Sequence, residues 1–166
     1  MRGFLRGLAI FVVGGLLGTA FGFAMGIFWF PYIFPPPVAN EVMTQAEMQV
    51  PVAATGTFIH ANPSDRVHWG RGKVSVFENQ VFLEPDFEVG PGPDYRVLLV
   101  PRSNIKTNGD VREVLAKSAD LGGLRSFKGS QKYAIPANVK PDEYQSVVIW
   151  CRQFGVLISP ADLAKK

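Results

Sequence analysis

Charged residues are missing from a long stretch at the start of the chain. Between Arg6 and Glu41 there is no Lys, Arg, Asp or Glu. About 20 apolar residues in a helix cross the hydrocarbon core of a bilayer, and residues 4–30 supply more than that before the prolines that begin at Pro31. The sequence therefore predicts a transmembrane anchor over residues 1–34.

A cleaved signal peptide is the alternative interpretation of this apolar run. The apolar region of a signal peptide has only about 7 to 15 residues, roughly half the length found here. Basic residues stay on the cytoplasmic side, and Arg2 and Arg6 precede the run while no base follows it until Arg66. We therefore expect a single-pass protein of the bacterial cytoplasmic membrane, with the N-terminus inside and the C-terminal domain periplasmic or extracellular.

The predicted span carries a regular row of glycines. Gly14, Gly18, Gly22 and Gly26 recur at every fourth residue, which lines them along one helix face and allows another helix to approach closely. This spacing predicts a homo-oligomer formed through the transmembrane helix. The alternative is that glycine is simply frequent in membrane helices.

Cysteine and histidine are also scarce. Cys151 is the only cysteine, so no internal disulfide can form even though the domain is expected to face an oxidising compartment. A lone thiol in such a compartment is buried and inert, paired with another molecule, or chemically active. His60 and His68 are the only histidines.

The rest of the chain is close to neutral. Of the 17 Lys and Arg residues, two precede the apolar run, and all 14 acidic residues follow it, which leaves a formal charge of +1. This balance argues against nucleic acid as a partner. Residues 35–53 begin with three prolines and become polar, which predicts a stalk, and residues 54–164 have the length of one ordinary domain.

Short runs with period-two alternation follow the predicted stalk. They are rich in β-branched and aromatic residues and are separated by Gly, Pro, Asn and Asp, which is typical of strands joined by turns. Seven or eight such runs lie between residues 55 and 159, and residues 110–119 form either a short helix or an irregular loop. The pattern predicts an all-β fold, an antiparallel β-sandwich or barrel-like domain preceded by the transmembrane helix.

The run Val147–Cys151 is apolar at every position. Alternation places Val147, Ile149 and Cys151 on one strand face, so this strand is expected to be buried on both sides in the middle of the fold. Arg152 follows directly, and a neighbouring cation favours thiolate over thiol. Cys151 and Arg152 are therefore the redox candidates. The alternative is that Cys151 packs as a small buried hydrophobe.

An ordered set of residues resembles a known family over about residues 55–163. The set comprises His68, Gly70, Gly72, Phe87, Gly92, Pro93, Asp94, Tyr95, Leu121, Gly122, Leu124, Gly129, Gln131, Tyr133, Ile135, Pro136, Ser146, Val147, Val148, Ile149, Trp150, Cys151 and Phe154. In this order they are similar to the electron-transfer DM-thirteen domain. Tyr95 is one departure, since leucine or valine is more usual there.

The resemblance implies a β-sandwich-like extracytoplasmic module found in bacterial membrane-anchored proteins. It also implies that Cys151 is the redox centre, with electron transfer or thiol redox chemistry shared with a redox partner protein. The competing interpretation is a noncatalytic binding or envelope-scaffold module in which Cys151 fills the core.

Two cofactors are candidates on the residues alone. His60, His68 and Cys151 supply the donor set of an electron-transfer copper site, provided that the fold brings them together. Noncovalent haem could use His68 or Cys151 as an axial ligand. Covalent c-type haem is excluded because the chain has no Cys-x-x-Cys-His motif. The sequence identifies neither cofactor and no catalytic residue.

Overall fold

The computed structural model describes residues 2–166 and divides them into two compact units, with the boundary in the sequence between Phe34 and Pro35. The first unit is helix α1, Arg2–Ile33, which is long and apolar enough to cross a membrane. Nothing lies within 4 Å of a Cβ built on Gly14, Gly18, Gly22 or Gly26, so the predicted glycine face is open.

Helix α1 continues past the first proline that follows the apolar run. Pro31 lies inside α1, and the helix continues to Ile33 before the Pro35–Pro37 triplet. A proline lacks the N–H that would bond to the preceding turn, but the Phe34 N–H still reaches the Phe30 carbonyl at 2.9 Å. One proline near the helix end is therefore tolerated, and the triplet stops the helix.

The second unit is built mainly from strands. In chain order its elements are β1 (Ala39–Asn40), α2 (Gln45–Met48), β2 (Ala54–Phe58), β3 (Gly70–Val76), β4 (Gln80–Leu83), β5 (Glu88–Val89), β6 (Tyr95–Val100), α3 (Asn108–Val114), β7 (Ala119–Gly123), β8 (Gly129–Ala134), β9 (Ser146–Cys151) and β10 (Val156–Lys165). Short 3-10 turns lie at Leu115–Lys117 and Pro141–Glu143.

The strands form one mostly antiparallel sheet that is curled into a half-barrel. The strand order is β1-β8-β4-β3-β2-β10-β9-β6-β7, and β5 pairs with β3. A flat sheet would hold β8 and β7 seven strand spacings apart, about 34 Å. The six peptide links from Gly123 to Gly129 span at most about 22 Å. The short connection is therefore compatible only with a curled sheet.

β9 lies at the centre of the packing, between β10 and β6. Its residues Val147, Ile149 and Cys151 belong to the main core inside the curl. Val148 and Trp150 belong to a second apolar cluster on the opposite face. The prediction of a strand buried on both sides is confirmed, since all six residues of β9 are buried.

Helix α3 covers the second cluster. Thr107 and Asp110 form a reciprocal cap, in which the Asp110 N–H donates to the Thr107 hydroxyl and the Thr107 N–H donates to the Asp110 carboxylate. Val111 on this helix is fully buried against the outer face of the sheet. A helix rather than an irregular loop therefore forms here.

The segment predicted as a stalk is hydrogen-bonded to the domain. β1 pairs in parallel with β8, and the Ser126 hydroxyl donates to the Pro37 carbonyl at 2.7 Å. Glu41 accepts from Arg125, and Lys132 lies 3.0 Å from Glu47 in α2. We call residues 37–48 the strap. It belongs to the same compact unit as the rest of the sheet.

We expect Gly129→Ala to lower the free energy of unfolding by about 2 kcal/mol or more. Gly129 has φ of +92°, and a Cβ at this position would overlap the Ala39 carbonyl oxygen of the strap. The measurement is chemical denaturation of the full-length protein in detergent micelles, followed by tryptophan fluorescence.

Gly109→Ala is the matched control for that substitution. Gly109 lies in α3, where the nearest atom to an added Cβ is the Thr107 hydroxyl oxygen at 3.5 Å. Alanine in a helix should raise stability by about 0.5 kcal/mol. Equal stabilities of the two variants would contradict the tight approach of strap and β8.

Candidate functional site

Cys151 ends β9 at one end of the half-barrel. Cys151 is 2% exposed, and its thiol donates a hydrogen bond to the Pro93 carbonyl oxygen, with 3.2 Å between Sγ and that oxygen. Tyr95 of β6 is its partner in register on one side, and Val156 of β10 is its partner on the other. The sulfur is therefore enclosed by two neighbouring strands and by the turn that precedes β6.

Burial raises the pKa of the Cys151 thiol above its ordinary value of 9.0. The Asp94 carboxylate acts in the same direction. Hydrogen bonding from the backbone N–H groups of Phe154 and Gln153 acts the other way and favours thiolate, but the pKa remains raised. In this structure Cys151 is thus a neutral thiol at physiological pH.

Arg152 does not stabilise the thiolate in the way the sequence suggested. Its guanidinium binds the Asp94 carboxylate with both ends of the fork, Nε to Oδ2 at 2.9 Å and an Nη to Oδ1 at 3.2 Å. The Arg152 N–H also donates to the Asp94 carbonyl at 3.1 Å. The positive charge of Arg152 is therefore neutralised by Asp94. The same ion pair holds the turn that contains Asp94 in place over Cys151.

The turn itself consists of residues 90–94, and we call it the covering turn. Asp94 adopts a left-handed conformation with φ of +49°, which aspartate tolerates better than most residues. A Cβ on Gly92 would overlap the phenol of Tyr95, so only glycine allows that ring to lie beneath the turn. The Tyr95 ring in turn packs edge-on against Phe127, with centroids 5.9 Å apart.

The two histidines meet at Asp65. The His60 Nε2–H donates to the Asp65 backbone carbonyl at 2.6 Å, and the His68 Nδ1–H donates to its carboxylate at 2.7 Å. Burial disfavours the charged carboxylate, but hydrogen bonds from the His68 backbone, the His68 ring and the Val67 N–H outweigh it and hold the pKa of Asp65 at about 2. This cluster orders the loop between β2 and β3.

The three donors proposed for copper are not assembled into one site. Within residues 2–166, no group of three or more His, Cys, Asp and Glu side chains is placed to hold a metal ion. His60 and His68 use one ring nitrogen each on Asp65, while the Cys151 thiol is bonded to Pro93.

A separate open groove of about 620 Å³ lies along β2, β3 and β10. Thr55, Lys73, Ser75 and Lys106 are among the residues that line it, and Cys151 is not. The groove and the thiol are thus distinct features of the domain.

Sequence reasoning missed the groups that control the thiol. The Pro93 carbonyl and the N–H groups of Gln153 and Phe154 are backbone atoms, which carry no compositional signal. Asp94 did carry a sequence signal, because a Gly-Pro-Asp turn directly before an apolar strand places a carboxylate at the start of that strand. The strand is β6, and its first residue pairs with the last residue of β9, which is Cys151.

The raised pKa of Cys151 predicts the pH dependence of its reactivity and of folding. At pH 9 the native thiol should alkylate far more slowly than the thiol of the urea-unfolded chain, because the fold favours the protonated form. The preference of the fold for the protonated thiol also contributes to the free energy of unfolding. This contribution is fully present below the ordinary thiol pKa of 9.0 and is lost as pH rises through the higher pKa of the folded state. Iodoacetamide kinetics and denaturation curves measure the two effects.

Cys151→Ala is the control for the stability effect, since it has no ionisable thiol. The free energy of unfolding of the native protein should fall relative to that of the variant as pH increases above 9.0. Equal alkylation rates of folded and unfolded chains would contradict the burial of the sulfur.

Comparison with known families gives one result and two negative findings. The family model described as electron transfer DM13, the DM-thirteen domain, matches residues 62–163, which is more than half of the chain and includes Cys151 and the covering turn. Neither the search of curated proteins nor the search of solved structures returns a significant match. The chain therefore belongs to the electron transfer DM13 family.

Proposed function

We propose that this chain is a single-pass protein of the bacterial cytoplasmic membrane whose DM13 domain lies outside the cytoplasm and exchanges electrons through Cys151. The observation that carries the proposal is the position of the only cysteine, which lies inside the part matched by an electron-transfer family and is covered by one turn. Helix α1 provides the anchor, and the arginines before it favour an internal N-terminus.

Chemistry at Cys151 requires displacement of the covering turn. While the turn is in place, burial and the Asp94 carboxylate both keep the thiol protonated. When the turn lifts, both effects disappear, Arg152 loses its partner, and the N–H groups of Gln153 and Phe154 remain beside the sulfur. The same movement therefore exposes the thiol and lowers its pKa.

The proposed step is exchange with a disulfide of a redox partner protein. The Cys151 sulfur loses its proton and forms a bond to one sulfur of the partner, while the partner's own disulfide bond breaks. The departing partner sulfur takes up a proton and leaves as a thiol. The Cys151 sulfur is thereby oxidised from the thiol to the disulfide level, the departing partner sulfur is reduced to a thiol, and the other partner sulfur stays in the mixed disulfide.

The burial of the sulfur favours a second candidate from another class. In that case the domain is a noncatalytic binding or scaffold module, and Cys151 stabilises the core with its bond to Pro93. The two candidates differ in the effect of Cys151→Ala, which should abolish function only if the thiol exchanges electrons. The redox candidate also requires that loosening the covering turn raises the reactivity of the thiol without loss of the fold.

Asp94→Asn should therefore increase the rate at which native Cys151 reacts with an aromatic disulfide reagent by about two- to fivefold. Asparagine tolerates the left-handed backbone at this position but removes the charge that binds Arg152, so the turn opens more often. Release of the coloured thiol gives the rate, measured with the full-length protein in micelles.

Glu113→Gln is the matched control, because it removes an exposed ion pair with Arg102 and leaves the covering turn intact. Its rate should equal that of the native protein. An unchanged rate in Asp94→Asn, together with normal folding and function of Cys151→Ala in cells, would favour the structural role and remove the redox proposal.

The proposed orientation predicts the result of proteolysis. Protease added to intact spheroplasts should digest the domain while a cytoplasmic control protein survives, as seen with an antibody to the C-terminus. Survival of the domain alongside digestion of known exported proteins would reverse the assigned topology.

A further inference from the structure

The strap fixes the polypeptide to the domain almost as soon as α1 ends. Pro37 already accepts a hydrogen bond from Ser126, and the Ala39 N–H donates to the Lys128 carbonyl at 2.9 Å. Only residues 34–36 lie between Ile33, the last helical residue, and this attachment. The chain thus has almost no free linker.

The length of this connection limits how far the attachment can lie from the lipid. Four peptide links from Ile33 to Pro37 span at most about 14 Å. The headgroup layer on each side of the hydrocarbon core is about 5 to 8 Å thick. The connection is thus short enough for the attachment to lie at the headgroup layer, and it keeps the attachment within about 14 Å of the end of the helix.

The surface at this attachment suits lipid headgroups. Val38 is 63% exposed, and the residues from Phe34 to Val38 carry no polar side chain. The Lys128 side chain is 56% exposed beside it, with its ammonium 3.7 Å from Glu88. Arg71 also binds Glu88, so these three charged side chains have a net positive charge.

We propose that this edge, made of Val38 and Lys128 and called the Val38–Lys128 edge, docks into the phospholipid headgroup layer. Val38 inserts at the boundary of the acyl chains, and Lys128 binds lipid phosphates. The inference rests on the proposed membrane span. It predicts one preferred orientation of the domain on the bilayer, in which β8 begins near the lipid and runs away from it towards the turn at Glu78.

Fluorescent labelling of single added cysteines tests the docking. Val38→Cys, Glu78→Cys and Leu17→Cys are placed separately in the full chain, labelled without denaturant so that buried Cys151 stays unmodified, and reconstituted into phosphatidylcholine and phosphatidylglycerol vesicles. Shallow nitroxide lipids should quench the label at residue 38 about twofold or more above the label at residue 78. Residue 78 is the control because its turn lies at the opposite end of β8.

The label at residue 17 separates the two ideas. If deep nitroxide lipids quench residue 17 while residue 38 is quenched no more than residue 78, the span stands and the docking is refuted. If residue 17 is not quenched either, the span fails and the docking with it. The same set in a Cys151→Ser background gives a second measurement that is free of any reaction at the native thiol.

A pair of charge-reversal variants tests the contribution of Lys128 to the docking. Lys128→Glu should reduce quenching at residue 38 about twofold in vesicles that contain phosphatidylglycerol and much less in phosphatidylcholine alone. Lys117→Glu, an equal change of charge on an exposed residue after α3, should leave the quenching unchanged. Equal effects of both substitutions would refute a lipid contact by Lys128.

Discussion

The short connection between β7 and β8 is the constraint on which the domain depends. Because residues 124–128 cannot bridge a flat sheet of this strand order, the sheet must curl, and the apolar faces of its strands meet in one core. Gln131 holds the connection in place: its side-chain oxygen accepts from the N–H groups of Arg125 and Ser126, and its amide donates to the Ser126 carbonyl. A fully buried amide with these partners fixes the loop.

The curl also determines the environment of the thiol. Phe127 in the connection packs on Tyr95, and Tyr95 is the neighbour of Cys151 across the sheet. The end of the half-barrel that carries the Val38–Lys128 edge is therefore the end that carries the covering turn. If that edge rests on lipid, a redox partner that is itself bound to the membrane would reach Cys151 more readily than a freely diffusing one.

Strong local patterns predicted most of the fold, and weak ones failed for identifiable reasons. The continuous apolar run of β9, the nearly continuous one of β6 and the alternation in β3 define strands on their own, and both faces of β9 proved buried. β1 and β5 are two residues long, and β7 reads Ala-Asp-Leu-Gly-Gly, so their pairing is set by tertiary contacts rather than by periodicity. The site followed the same rule: Cys151 was found from sequence, but its pKa is raised mainly by burial under segments that are remote in the chain, with a smaller contribution from Asp94.

The order of the strands shows that the folding unit is longer than the segment matched by the family model. The family match begins at residue 62, yet β2, Ala54–Phe58, lies between β3 and β10 in the interior of the sheet. A fragment cut at the family boundary would lose this inner strand and the strap beyond it, leaving β3 and β10 with unpaired edges and the apolar residue Phe58 missing from the core. Any soluble form of this domain made for biochemistry has to start upstream of the strap, immediately after the span.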